Sequence, residues 1–205
     1  MNIIQDFIPG YKAYSMAPKY ITVHTTRNLS KGANARMHSK YLKGTDTSQK
    51  SWHLTVDDKE VIQHIPFDVN GWHAGDGQGK GNRQSIGIEI CENEDGDFDK
   101  AVHNAIELIQ YLINKFNIPI ENVVPHKRWS GKSCPVRLLP VWDKFIDEVK
   151  GVKKNDIEGH WAEKSLQKAI NKDILKGYED GTYKPDEPLT MARFMVFLDR
   201  LNLLD

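Results

Sequence analysis

The sequence predicts an α/β fold, a mixed central β-sheet flanked by helices over residues 1–150, then a linker at 151–154 and a small, mainly α-helical module over 155–205. Short β-branched runs alternating with longer segments of helical period predict the first part. The second follows from a change of pattern after Gly151-Val152-Lys153-Lys154, where two apolar stripes of helical spacing flank a turn-rich stretch. With 205 residues, the chain can bury one good core and a small second one.

Tyr20 to Thr25 reads as a strand whose alternation puts Tyr20, Thr22 and His24 on one face. Residues 30–43 read as a helix. His53 to Val56 and Val61 to Ile65 read as strands, with Asp57-Asp58-Lys59-Glu60 turning between them. The glycine-rich run from Gly71 to Gly81 reads as a long loop. It is no phosphate cradle, because no Gly-Lys-Ser or Gly-Lys-Thr closes it, and a strand rather than a helix is expected next. That strand, Ser85 to Cys91, places Ile86, Ile88 and Ile90 on one face and Gly87, Glu89 and Cys91 on the other. Residues 100–116 carry Ala101, Ala105, Leu108, Ile109, Leu112, Ile113 and Phe116 at helical spacing, and 138–150 read as a further helix.

Pro125-His126-Lys127-Arg128-Trp129-Ser130-Gly131-Lys132-Ser133-Cys134-Pro135 gathers a histidine, a lysine and a cysteine in one short loop. Zinc accepts imidazole nitrogen and thiolate, and a catalytic zinc typically keeps three protein ligands and one open position. His24, near the end of a strand, is the candidate third donor. From the residues alone the His126 and Cys134 pair is a weak signal, which a small core without metal explains more often than zinc does. Glu89 sits in an otherwise apolar strand, where a carboxylate costs free energy unless it is paired or used.

Composition excludes some functions. Twenty-eight Lys and Arg balance 28 Asp and Glu, so the basic excess of a nucleic-acid binder is missing. The two cysteines, Cys91 and Cys134, are expected to be reduced, which suits synthesis in the cytoplasm. Met1 to Pro9 lacks the basic and long apolar segments of a signal peptide, and no run approaches a membrane span.

Five blocks occur in an order that resembles one family: Ile21-Thr22-Val23-His24, Trp52-His53-Leu54-Thr55-Val56-Asp57-Asp58, Gly71-Trp72-His73-Ala74-Gly75-Asp76-Gly77, Ser85-Ile86-Gly87-Ile88-Glu89-Ile90-Cys91, and the His126 to Cys134 loop. Over residues 15–150 the chain resembles zinc N-acetylmuramoyl-L-alanine amidases that share their fold with T7-phage lysozyme and the peptidoglycan-recognition proteins, above all endolysins of Bacillus phages. The resemblance implies one zinc ion per chain held by His24, His126 and Cys134. Two neutral imidazoles and a thiolate leave such a site at about +1, enough to polarise an amide carbonyl and activate water near neutral pH.

It implies that Glu89 carries the proton from the attacking water to the leaving L-alanine nitrogen, and that Lys132 stabilises the oxyanion. A structural Glu89 to Lys132 salt bridge is the alternative. Many relatives have a catalytic tyrosine where this chain has Trp52, so Trp52 is expected as a substrate wall or core residue. His73 and its neighbour Trp72 are expected beside the substrate, and His53 either behind the site or in packing. His38, His64 and His103 are expected as ordinary surface or strand-end residues. The resemblance further implies a peptidoglycan substrate and an endolysin that reaches the wall through a membrane hole made by another protein, a holin. A bacterial autolysin and a non-catalytic recognition protein are the alternatives. Cys134 counts against the second, and a purely structural zinc would need a fourth protein ligand.

Residues 155–202, with Asp156-Ile157-Glu158-Gly159-His160-Trp161-Ala162 and Ile174 to Pro185, resemble a single S-layer homology module. Such modules bind secondary wall polysaccharides. Ala162, Leu166, Ala169 and Ile170 form one stripe, and Phe194, Phe197, Leu198 and Leu201 the other. Thr190 can cap the second helix, although Arg193 stands where a glutamate would complete the capping box and Met191 where the family has an arginine. Docking or oligomerisation is the alternative role.

Overall fold

In the computed structural model, which describes residues 2–151, 156–178 and 182–204, the chain forms two compact units, Met1–Lys150 and Gly151–Asp205. The expected linker lies outside the described residues beyond Gly151, as do Glu179, Asp180 and Gly181 of the turn-rich stretch.

The first unit runs β1 (Ile3–Gln5), β2 (Tyr20–Thr25), α1 (Ala35–Lys43), β3 (Leu54–Val56), β4 (Val61–Gln63), α2 (Lys80–Arg83), β5 (Ser85–Ile90), α3 (Phe98–Phe116), β6 (Val123–Pro125), α4 (Lys127–Ser130) and α5 (Trp142–Val149). Six strands make one sheet in the order β1-β4-β3-β5-β2-β6. Only β3 and β4 pair antiparallel, so the sheet is mixed as expected. Two three-residue strands, β1 and β6, were not foreseen. Each takes its place by parallel pairing with a neighbouring strand, Ile3 with Val61 of β4 and Val123 with Ile21 of the longer β2. The loop from Gly71 ends in the single helical turn α2 rather than leading directly into β5.

Register divides the sheet into two chemically different faces. Ile21 pairs with Ile86 and Val23 with Ile88, and Leu54 pairs with Ile88 on the other side. These side chains are fully buried against Ala105, Leu108, Ile109 and Leu112 of α3 and Phe145 of α5. The intervening pairs, Thr22 with Gly87 and His24 and Thr55 with Glu89, put polar groups on the opposite face. There α1 covers part of the sheet, and Leu42, Trp52, Ile65 and Ile8 form a smaller cluster.

Caps fix the helix ends. The Asn34 side chain accepts the Met37 N–H at the start of α1, and Asp97 accepts the Lys100 N–H at the start of α3. Asn117, in the left-handed region at φ 51°, ends α3.

The second unit contains α6 (Glu163–Asn171) and α7 (Met191–Arg200). Ile157 is the one buried side chain among its described residues. Ala162, Leu166, Ala169 and Ile170 are half-buried, but Phe194 and Leu201 of the second stripe are exposed. Thr190 does cap α7, accepting the Arg193 N–H at 3.3 Å. Arg193 turns away from a capping role and pairs with Glu187 and the Tyr178 hydroxyl.

Ile88 sits centrally in the apolar face with no solvent exposure. Ile88→Ala is expected to lower the stability of the first unit by roughly 2–5 kcal/mol in denaturant titration.

Candidate metal centre and catalytic cleft

Parallel pairing of β2 with β6 brings the two histidines together. His24 lies near the C-terminal end of β2, and His126 follows the last residue of β6, its N–H donating to the Val23 carbonyl. Cys134 returns to the same place because the Lys127 N–H donates to its carbonyl, closing the loop that begins with α4. Trp129 pins this loop from the side, with its indole N–H on Thr22 Oγ1 at 2.8 Å and its ring edge-on to Tyr20. Neither Trp129 nor Thr22 was identified from sequence as part of the site, although both lie within the quoted blocks.

His24 Nδ1 lies 3.0 Å from His126 Nδ1 and 3.9 Å from Cys134 Sγ. One donor atom from each of the three residues falls within 4.8 Å of the others, and all three side chains are buried. A tetrahedral zinc with ordinary Zn–N and Zn–S bonds separates its donors by roughly 3.3–3.6 Å, so spacing and donor chemistry both fit the metal. Among the described residues, this is the one such group, and it offers no fourth donor.

Burial drives the electrostatics. It pulls His24 well below the usual imidazole range, aided by His73, His126 and Lys132, and it lowers His126 as well. Both rings are therefore neutral and able to ligate. The Ala74 backbone acts on the His126 ring without closing a hydrogen bond to its Nε2. Burial raises the Cys134 thiol to about 11, with the Thr25 backbone favouring the thiolate. Cys91, also free, is raised by burial and by neighbouring acids, and it lies near His38 rather than in this group.

Glu89 pairs with His24 in register and reaches the same cleft. Desolvation raises its carboxyl to about 8, against the pull of Lys132 and Lys50. Its Oε2 is sealed from solvent without a hydrogen-bond partner. Lys132 is exposed at the cleft, and no ion pair between it and Glu89 forms among the described residues, so the salt-bridge alternative fails.

The cleft, about 880 Å³, runs from the His24, His126 and Cys134 group past Glu89 and Lys132 to a wall that includes Trp52, Trp72, Tyr41 and Lys50. Trp52 is mainly a core residue, 4% exposed, with its indole N–H on Thr55 Oγ1. Trp72 is half-buried and packs edge-on against Tyr14. His73 lines the cleft and also touches His24, its Nδ1 lying 3.1 Å from His24 Nε2.

His53 packs behind the site, accepting the Gly87 N–H and stacking on Phe67. His38 and His64 are buried rather than ordinary surface residues. His64 Nε2 bonds Thr55 Oγ1 at 2.7 Å, and His38, on the buried face of α1, sits against Trp52. His103 is exposed as expected.

These pKa shifts set a pH profile for the metal-free protein. Burial lowers six histidines from 6.5, among them His53 to about 4 and His64 and His73 to about 3. Below pH 6.5 the unfolded chain takes up protons that the fold refuses, so stability falls with acid. Glu89 acts in the opposite sense. Its raised pKa contributes stability that is complete below 4.5 and lost as pH rises through 8. Denaturant titrations with chelator present should show stability rising from acid to a maximum above pH 6.5, because the gain from the histidines outweighs the loss from Glu89 until the unfolded histidines are largely deprotonated. The part of the profile that falls with rising pH comes from Glu89 and should be absent in Glu89→Gln.

Residues 14–137 match the N-acetylmuramoyl-L-alanine amidase family model, and residues 155–190 match the S-layer homology domain, a match that stops just before α7. The N-acetylmuramoyl-L-alanine amidase XlyA of Bacillus subtilis (strain 168) is 60% identical over 155 residues, covering 74% of this chain and 52% of XlyA. The chain thus spans about half the length of this curated relative. The solved catalytic domain of XlyA is 58% identical with a TM-score of 0.71, covering 73% of this chain and 99% of that one. A mutant endolysin from Bacillus subtilis is 59% identical with a TM-score of 0.70, covering 72% and 98%. Family match, sequence identity and fold agree, and the chain belongs to the N-acetylmuramoyl-L-alanine amidase family.

Proposed function

We propose that this chain hydrolyses the amide bond between N-acetylmuramic acid and L-alanine in peptidoglycan, with one zinc ion held by His24, His126 and Cys134. The observation that carries this reading is the convergence of those three buried donors with the unpartnered carboxyl of Glu89 in one open cleft. Bound zinc supplies a Lewis acid for the scissile carbonyl and lowers the pKa of water.

The chain's own residues do the remaining work. Burial raises the Glu89 carboxyl and a cation bound in the same cleft would lower it, opposing effects that suit a group which takes and returns a proton near neutral pH. Glu89 takes the proton of the attacking water and delivers it to the L-alanine nitrogen as the carbon–nitrogen bond breaks, so it ends as it began. Lys132, cationic and at the cleft, stabilises the negative charge that develops on the carbonyl oxygen. Trp72 and the cleft-facing edge of Trp52 give the glycopeptide an apolar wall.

The similarity to an endolysin from Bacillus subtilis supports a role in phage-induced host lysis, the chain being made in the cytoplasm and reaching the wall once a holin opens the membrane. The S-layer homology match supports retention on secondary wall polysaccharide through residues 155–205.

Mass spectrometry of digested Gram-positive peptidoglycan tests the activity. Wild type should release free stem peptides that begin with L-alanine, and chelator should abolish their release. Glu89→Ala should lower the rate by roughly 10²–10⁴-fold, and Lys132→Ala by roughly 10²–10³-fold. Wall that stays intact while retaining the zinc-loaded protein would make this a recognition module instead.

A further inference from the structure

His73 is held through its backbone by Asn82 and through its imidazole by three further neighbours. Asn82 Oδ1 accepts the backbone N–H groups of both His73 and Ala74 at 2.8 Å. Asn82 is itself braced, its backbone N–H on Asp76 Oδ1 and its amide N–H on the Gly77 carbonyl. The ring lies over Gly87 of β5, where an added Cβ would come within 2.7–2.8 Å of three ring atoms. Its two nitrogens face different partners, Nε2 the Ser85 carbonyl at 3.3 Å and Nδ1 the His24 Nε2 at 3.1 Å.

A carbonyl oxygen can only accept, so His73 carries its proton on Nε2. In a neutral ring Nδ1 is then an acceptor, and the proton shared with His24 belongs to His24 Nε2. The lone pair of His24 is thereby placed on Nδ1, the atom nearest His126 and Cys134.

We propose that His73 is a positioning residue, carried by the loop that runs from Gly71 into α2 and seated on Gly87, that fixes the tautomer of His24 and so presents its Nδ1 lone pair to the metal position. The role in metal binding rests on the zinc reading above, whereas the tautomer is a property of the metal-free chain. Outer partners of this kind typically contribute 10–100-fold to metal affinity. Gly87 acquires a purpose in the same scheme, since any side chain there would lift the ring off its seat.

Two measurements on the full chain test the proposal. Nitrogen-15 NMR of the histidine rings in metal-free protein should find His24 in the Nε2–H form, and that form should be lost in His73→Phe, which keeps a ring of similar shape. Competition with a chromophoric chelator should show zinc held about 10–100-fold more weakly by His73→Phe. His73→Asn, whose side-chain oxygen can accept from His24, should recover most of the affinity and the tautomer. Gly87→Ala should weaken zinc binding in wild type and have no further effect in a His73→Ala background, where the ring it would displace is gone.

An Nδ1–H tautomer for His24 in wild type would overturn the proposal, as would a folded His73→Phe with unchanged His24 tautomer and zinc affinity. Wild-type chain with the Nε2–H tautomer but no zinc affinity would remove the zinc reading while upholding the relay.

Discussion

The parallel pairing of β2 with β5 is the constraint on which the site depends. It sets His24 beside Glu89 on one face and Val23 beside Ile88 on the other. Side chains alternate along a strand, so a slip of one residue would drive the imidazole into the core and an aliphatic group into the cleft. What holds the register is the density of the apolar face, where Ile21, Val23, Leu54, Ile86 and Ile88 are all without exposure beneath α3. The stability of the apolar face and the chemistry of the polar one are therefore two consequences of a single pattern.

The polar face is expensive, and its cost is met unevenly. Both ring nitrogens of His53 and the hydroxyl of Thr55 are hydrogen-bonded, whereas His64 bonds Thr55 through Nε2 and leaves its Nδ1 without a partner. Glu89 Oε2 and His126 Nε2 are left without partners. Unsatisfied buried groups are rare in folded proteins, and of the six side-chain atoms left so among the described residues, four belong to Thr25, Thr26, Glu89 and His126, which line the cleft. The local inconsistency marks the functional end of the sheet.

Much of this was legible in the sequence. The strand at Tyr20–Thr25 was bounded to the residue, because a β-branched run with strict alternation leaves little choice. The face assignments of Ile86, Ile88 and Ile90 against Gly87 and Glu89 followed from the same period. Features fixed by distant partners were hidden. The three-residue strands β1 and β6 have no pattern of their own and exist because Val61 and Ile21 pair with them. The burial of His64 depends on Thr55, nine residues away, and that of His38, on α1, on Trp52 just before β3. Asn82 and Trp129 look like ordinary loop residues until the loop contacts of Ala74 and Thr22 are known. In the second unit the helical stripes were visible, yet exposed Phe194 and Leu201 show that amphipathic spacing does not by itself tell how completely a stripe is covered.

The central claim is a metal site with three protein donors and one open position. X-ray absorption at the zinc edge on the purified, zinc-loaded chain tests it most directly. The account predicts two nitrogen ligands at about 2.0–2.1 Å, one sulfur at about 2.3 Å and a single light-atom ligand that exchanges with added small anions. A shell closed by a fourth protein donor, or one without sulfur, would contradict it and leave Glu89 and Lys132 without the reaction assigned to them.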